Sequence, residues 1–259
     1  MIVFFDIDGT LWDGQRNIPE STITAIRKLR NNGHKAFICS GRARANINDE
    51  RLFDIGFDGV IAACGNHVEY EGQVVYQKLL SDEEVRKIIN VTNECRLPIV
   101  MEGPSIHLIS EKGFENDPYV DYLYQRLGEL ALPVSAYKTE MSFNKFSAGI
   151  MEYSDYETVK KELEPFMDSL EHNATVVEFV PKGTSKATGI IELCKYLNVD
   201  ISDTFAIGDS INDVDMLKAV GHGIAMGNGT QPAFEAAEYI TTSLHEDGIK
   251  NALTHYELI

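Results

Sequence analysis

The sequence predicts an α/β protein in which a parallel sheet flanked by helices is interrupted by an inserted α+β unit. Three observations carry this expectation. Short, almost continuously apolar strands alternate with amphipathic helices at both ends of the chain, the rhythm of a parallel sheet covered on both faces. In the middle the rhythm changes to paired strands with helices grouped between them. Four polar segments also fall at predicted strand ends, and ligands of open α/β sheets bind at the carboxyl ends of strands.

The first strand, residues 2–5, runs into Asp6-Ile7-Asp8-Gly9-Thr10-Leu11. Residues 20–32 place Ile23, Ile26 and Leu29 on one helical face and stop at Gly33, a common residue after a helix C-terminus. Residues 36–39 read as a buried strand ending at Ser40-Gly41-Arg42, followed by a helix over 43–54 and a strand over 59–63. Residues 68–70 and 74–76 flank Glu71-Gly72-Gln73 as a hairpin. A helix begins at Ser81, where Ser81 and Glu84 make a capping box. Strands follow near 99–101 and 106–109, then a helix around 118–130, a strand over 145–151, a helix over 155–170 and a strand over 175–180. After Pro181-Lys182-Gly183-Thr184-Ser185 the first rhythm resumes with a helix over 186–197, a strand over 204–207, a helix after Asp213, a strand over 223–226, and a final strand and helix. The expected organisation is a core of residues 1–80 and 182–259 with an inserted unit over 81–181.

The chain has 259 residues, 44% of them hydrophobic, enough for a substantial core. Its 40 Asp and Glu outnumber 23 Lys and Arg, giving a formal net charge of −17. Such a surface repels nucleic acid and anionic lipid, so neither is an expected partner. A phosphorylated substrate would be repelled as well, and an acidic enzyme acting on one needs concentrated local positive charge. Cys39, Cys64, Cys95 and Cys194 are scattered and suggest neither a zinc site nor a disulfide framework. Reduced thiols fit a cytoplasmic protein. The N-terminal apolar run is too short for a signal peptide, and no segment has membrane-spanning length.

Asp6 and Asp8 lie two residues apart in extended chain, so both point into one small volume. Two carboxylates that close need a divalent cation or a shared proton. Gly208-Asp209-Ser210-Ile211-Asn212-Asp213 follows another apolar strand, and Asp209 and Asp213 can join the first pair around a cation. Oxygen-only ligands without a His or Cys cluster favour Mg²⁺ over zinc. Ser40-Gly41-Arg42 offers a hydroxyl and backbone N–H groups suited to phosphate. Lys186, at the start of a predicted helix, is the cation placed to meet the strand ends. Each feature has an ordinary structural explanation, namely turn residues, helix caps or a solvated lysine. Their joint occurrence at strand ends favours a phosphate site.

The order Asp6-x-Asp8-Gly9-Thr10, Ser40, Lys186, Gly208-Asp209-x-x-Asn212-Asp213 resembles the haloacid dehalogenase (HAD) superfamily. The insertion between the second and third motifs resembles the C2 cap of its Cof-type phosphatases, and residues 177–186 are similar to that subfamily's return segment. One departure is Cys64-Gly65-Asn66, where such proteins often carry Asn-Gly-Ala. The resemblance implies a Rossmann-like, HAD-like core with an inserted α+β cap domain. It also implies a Mg²⁺-dependent phosphatase of small phosphorylated metabolites, such as sugar phosphates, acting through an aspartyl-phosphate. Asp6 would be the nucleophile and Asp8 the general acid and base. Asp6, Asp209 and the main-chain carbonyl of Asp8 would hold the metal, with Asp213 orienting that shell. Ser40, Lys186 and the N–H groups near Thr10 and Gly41 would bind phosphate, with Asn212 touching the phosphate or bracing its loop. The cap would close over the strand ends and select the leaving group, with Glu102, His107, Lys145 and Glu178 as candidate selectors. The alternatives are a phosphomutase of the same superfamily and a non-catalytic sensor of phosphorylated metabolites. Oligomeric state and physiological substrate are not readable from the residues.

Overall fold

The apolar run at the start of the chain forms β1 (Ile2–Phe5), buried along its whole length. In the computed structural model, which describes all of residues 1–259, it is followed by α1 (Glu20–Asn31), β2 (Lys35–Cys39), α2 (Glu50–Ile55), β3 (Gly59–Ala62), β4 (His67–Tyr70) and β5 (Gln73–Gln77). The middle of the chain holds α3 (Asp82–Glu94), β6 (Ile99–Glu102), β7 (His107–Ile109), α4 (Pro118–Leu127), β8 (Ala131–Pro133), β9 (Lys145–Gly149), α5 (Tyr156–Leu163), β10 (Met167–Glu171) and β11 (Val176–Pro181). The last part contains α6 (Lys186–Leu197), β12 (Thr204–Gly208), α7 (Val214–Ala219), β13 (His222–Ala225), α8 (Gln231–Ala236), β14 (Tyr239–Ile240) and α9 (Gly248–His255).

Two units result: one of Met1–Gly41, Asp49–Gln77 and Ser185–Ile259, the other of Arg42–Asn48 and Lys78–Thr184. The first is built on an eight-stranded sheet in the order β14-β13-β12-β1-β2-β3-β4-β5. Strands β14 to β3 are mutually parallel, while β4 and β5 add an antiparallel hairpin at one edge. Phe5 pairs with both Ile38 and Ile207, so β1, β2 and β12 end at a common edge and release Asp6, Ser40 and Asp209 there. Ile2, Phe4, Phe37, Cys39, Ile61 and Ala206 pack against Ile190, Leu193, Met216 and Leu217 of α6 and α7. That burial on one face of the sheet supplies apolar driving force to the unit.

The second unit carries a six-stranded sheet in the order β10-β11-β9-β6-β7-β8, antiparallel except where β7 meets β8. Its main core gathers Ile99, Met101, Leu108, Phe146, Ala148, Val177 and Phe179 with Val85, Ile88, Val159 and Leu163 of α3 and α5. Period-2 alternation sends Val100 and Ile109 to the opposite face, where they meet Val120, Leu123 and Leu127 of α4. The capping box of α3 is present: Glu84 N–H donates to Ser81 Oγ at 3.2 Å and Ser81 N–H to Glu84 Oε2 at 2.7 Å.

Some expectations are corrected. The helix expected over 155–170 ends at Leu163, and Met167–Glu171 pairs with β11 as β10. Pro165 lacks an amide hydrogen and disfavours helical geometry before it, so the helix cannot continue through it. The helix expected over 43–54 is a single 3₁₀ turn, Arg44–Asn46, followed by α2, which starts only after Asp49 accepts from Arg51 N–H at 3.1 Å. The Asn46-Ile47-Asn48-Asp49 stretch offers side-chain acceptors that compete with helix formation. Residues 42–48 also belong to the second unit, although the sequence reading kept them in the first. Ala45 packs on the Val120 and Leu123 cluster, and Arg126 Nε donates to Asn48 Oδ1 at 2.7 Å. The strand β8 and the helix α8 were not foreseen, and each is short and carries a proline. No helix is long and apolar enough to cross a membrane.

Candidate active site

Strand β1 delivers Asp6 to the sheet edge, and the chain then turns back on itself. Thr10, Leu11 and Trp12 N–H all reach Ile7 C=O, at 3.4, 3.0 and 3.2 Å. Gly9 sits at φ +87°, and a Cβ there would lie 2.3 Å from Asp209 Oδ2. Only glycine lets this loop close on the β12 loop. A second close approach places Lys186. A Cβ on Gly65 would meet Ser185 C=O at 2.1 Å, and one on Gly189 would meet Gly65 Cα at 2.8 Å. The first turn of α6 therefore lies directly on the turn after β3.

These contacts bring Lys186 to Asp6 and Asp213. Its Nζ donates to Asp6 Oδ1 at 2.5 Å and to Asp213 Oδ1 at 2.6 Å, and the ammonium is fully buried. Burial alone would drive its pKa down, but Asp213 and Asp6 outweigh burial and hold it well above the usual lysine value. Asp213 is committed on both oxygens, since Oδ2 accepts from Asp209 N–H and Ser210 N–H at 2.9 Å each. It shapes the β12 loop as much as it carries charge.

Asp6, Asp209 and Asp213 bring carboxylate oxygens within 4.8 Å of one another. Burial first, and then the Asp213 charge, raise Asp6 well above the ordinary carboxylate range and Asp209 to about 7. Lys186 lowers both but does not offset three carboxylates. Thr10 Oγ1 donates to Asp209 Oδ1 at 3.2 Å. An excess of buried carboxylate over ammonium, with oxygen as the only donor element, fits a hard divalent cation.

The other residues singled out from the sequence fall as follows. Asp8 is exposed, and its Oδ1 accepts from Trp12 Nε1 at 2.8 Å. Its side chain is outside the group formed by Asp6, Asp209 and Asp213. Ser40 is buried at the end of β2 with Gly41 beside it. No helix starts at Gly41, so the helix N-terminus expected there is not a source of N–H groups. Thr10 uses its hydroxyl on Asp209, and Asn212 Oδ1 accepts from Ser210 Oγ at 2.9 Å, which braces the loop. Asn66 is buried, with Nδ2 donating to Ala63 C=O at 2.9 Å. Sequence reasoning missed Trp12 and Asn228. Asn228 Nδ2 donates to Gly9 C=O at 2.8 Å and its Oδ1 accepts from Leu244 N–H at 2.8 Å, tying the Asp8-Gly9 loop to the end of the chain. The Gly227-Asn228-Gly229 turn was the available signal.

In the second unit the four candidate selectors lie side by side. Glu102 pairs across the sheet with both His107 and Lys145, and Glu178 pairs with Ser147 one row along. Lys145 Nζ donates to Glu102 Oε1 at 2.8 Å and also to Glu178 Oε1. Ser147 Oγ donates to Glu102 Oε1 at 2.5 Å, and His172 stands 3.3 Å from Glu178. Burial pushes Glu178 up, but Lys145 and His172 prevail and hold it at about 2. Burial lowers the pKa of His107, against the opposing pull of Glu102.

Comparison with known proteins gives a consistent result. The family model for haloacid dehalogenase-like hydrolases matches residues 3–253. The chain is 31% identical over 261 residues to "Putative phosphatase YkrA" of Bacillus subtilis (strain 168), covering 100% of this chain and 98% of that protein. It is 24% identical to the 5-amino-6-(5-phospho-D-ribitylamino)uracil phosphatase YitU of the same organism, covering 98% of this chain and 97% of that protein. A solved structure described as a HAD subclass IIB sugar phosphatase superposes with a TM-score of 0.81 at 25% identity, covering 100% of this chain and 99% of the other.

Proposed function

The chain belongs to the haloacid dehalogenase-like hydrolase family, and from that premise we propose that it hydrolyses sugar phosphates or similar monoesters with Mg²⁺ through an aspartyl-phosphate. At the coarser level it is a phosphatase of small phosphorylated substrates. The observation that carries the finer reading is Lys186 Nζ bridging buried Asp6 and Asp213 beside half-buried Asp209, one cluster drawn from three separate segments.

Lys186 occupies Asp6 Oδ1, which leaves Oδ2 as the oxygen that attacks phosphorus in line. Asp8 gives its proton to the departing alkoxide and then takes one from the water that opens the aspartyl-phosphate. Bound by Asp6, Asp209 and the Asp8 main-chain carbonyl, Mg²⁺ would supply positive charge that keeps Asp6 ionised and offsets the phosphoryl oxygens. Lys186 and Ser40, with the single backbone N–H of Gly41, hold those oxygens. Thr10 and Asn212 act by fixing Asp209 and its loop, as their hydrogen bonds indicate.

The test is a panel of phosphate monoesters assayed for inorganic phosphate with Mg²⁺ and with chelator. Release with Mg²⁺, lost on chelation and independent of an added sugar bisphosphate, is the expected result. Transfer to a sugar that depends on a bisphosphate would identify a mutase. Tight binding without turnover would identify a sensor.

A further inference from the structure

We propose that Trp12 is a positioning residue for the acid and base Asp8, holding its carboxylate in place through Oδ1. The inference rests on the role given to Asp8 above. Asp8 is exposed, whereas Trp12 is 3% exposed, and the indole Nε1–H donates to Asp8 Oδ1 at 2.8 Å. The backbone holds the two side by side: Asp8 and Trp12 form an isolated bridge, Gly9 N–H donates to Trp12 C=O at 2.9 Å, and Trp12 N–H to Ile7 C=O at 3.2 Å. The turn beyond Trp12 is itself fixed, because Asp13 Oδ1 accepts from Gln15 and Asn17 N–H at 2.9 Å each.

An indole N–H only donates. The oxygen it meets accepts, so the contact holds Oδ1 at a fixed place and with it the plane of the carboxyl group. An exposed aspartate side chain samples several rotamers in water, and the buried indole restricts that freedom by holding Oδ1. Proton transfer depends on such placement, since a candidate acid or base must lie within hydrogen-bond reach of the atom it serves.

Replacing Trp12 with 3-(benzothiophen-3-yl)alanine removes the N–H and keeps the shape. kcat/KM is then measured for an alkyl phosphate, whose leaving group needs the acid, and for p-nitrophenyl phosphate, whose leaving group barely does, with Asp8→Asn in parallel. The expected result is a loss of kcat/KM about tenfold or more greater for the alkyl ester, with KM little changed, a fraction of the 10²–10⁴ that acid–base catalysis supplies. Equal losses on both substrates, or none, would overturn the proposal. If Asp8→Asn keeps full alkyl-ester activity, the acid–base reading fails instead. Because the chain has a single tryptophan, fluorescence gives a second readout. Asp8→Ala removes the acceptor and is expected to shift its emission, and an unchanged spectrum in the folded variant would overturn the contact.

Discussion

Removing one carboxylate from the buried cluster is predicted to stabilise the metal-free protein and weaken its response to magnesium. Asp6, Asp209 and Asp213 have oxygens within 4.8 Å of one another against one ammonium, Lys186. At that separation, with an effective dielectric constant of about 20, each ionised pair repels by about 3.5 kcal/mol. With all three carboxylates ionised, three negative charges and the one ammonium sum to about −2. A divalent cation cancels that sum. Magnesium at about a hundredfold its dissociation constant stabilises by about 2.7 kcal/mol, which for a chain of this size raises the melting temperature by roughly 5–10 °C. Asp209→Asn keeps the shape and an acceptor for Thr10 but drops one charge. Melting is followed by circular dichroism at pH 8, with chelator and with magnesium. The variant should melt higher than the parent in chelator and gain less from magnesium. A variant that melts lower in chelator, with an undiminished magnesium increment, would refute the charge argument.

Three further outcomes follow from the same geometry. Lys186→Ala strands Asp6 and Asp213 without their buried partner, so turnover should fall about 10²–10³-fold and unfolding in chelator should cost about 3–5 kcal/mol less, measured by phosphate release and urea titration. Gly9→Ala sets a Cβ 2.3 Å from Asp209 Oδ2 at φ +87°. It should cost about 1–2 kcal/mol in strain and raise the magnesium concentration needed for half-maximal activity. In the second unit, Lys145 and His172 hold Glu178 at about 2, below the ordinary glutamate range. A depressed acid stabilises above its unfolded pKa, so about 3 kcal/mol should be lost as pH falls from about 4.5 to about 2, and the acid-induced loss in Glu178→Gln should be smaller by that amount.

Much of the site was legible because its chemistry sits in short contiguous segments. Asp6, Asp8 and Gly9 follow an unbroken apolar strand, Asp209 and Asp213 follow another, and Lys186 opens a helix whose observed bounds, Lys186–Leu197, match the 3.6-residue pattern. Partnerships across the chain were less readable. Nothing local says that Thr10 turns to Asp209 or that Asn228 holds Gly9, because these contacts are set by loop closure. The strand β10 was hidden because Met167–Glu171 takes its pairing from β11, and a five-residue edge segment carries little periodicity of its own. Residues 42–48 were misassigned for a similar reason, their neighbours being on α4.

The central claim is that Asp6 is the group that receives the phosphoryl moiety. Borohydride reduction of enzyme quenched during turnover, followed by peptide mass spectrometry, tests it directly, because an aspartyl-phosphate is reduced to homoserine. Homoserine at position 6, absent without substrate and absent in Asp6→Asn, is the predicted result. Homoserine at another aspartate, or undiminished turnover by Asp6→Asn, would contradict the account.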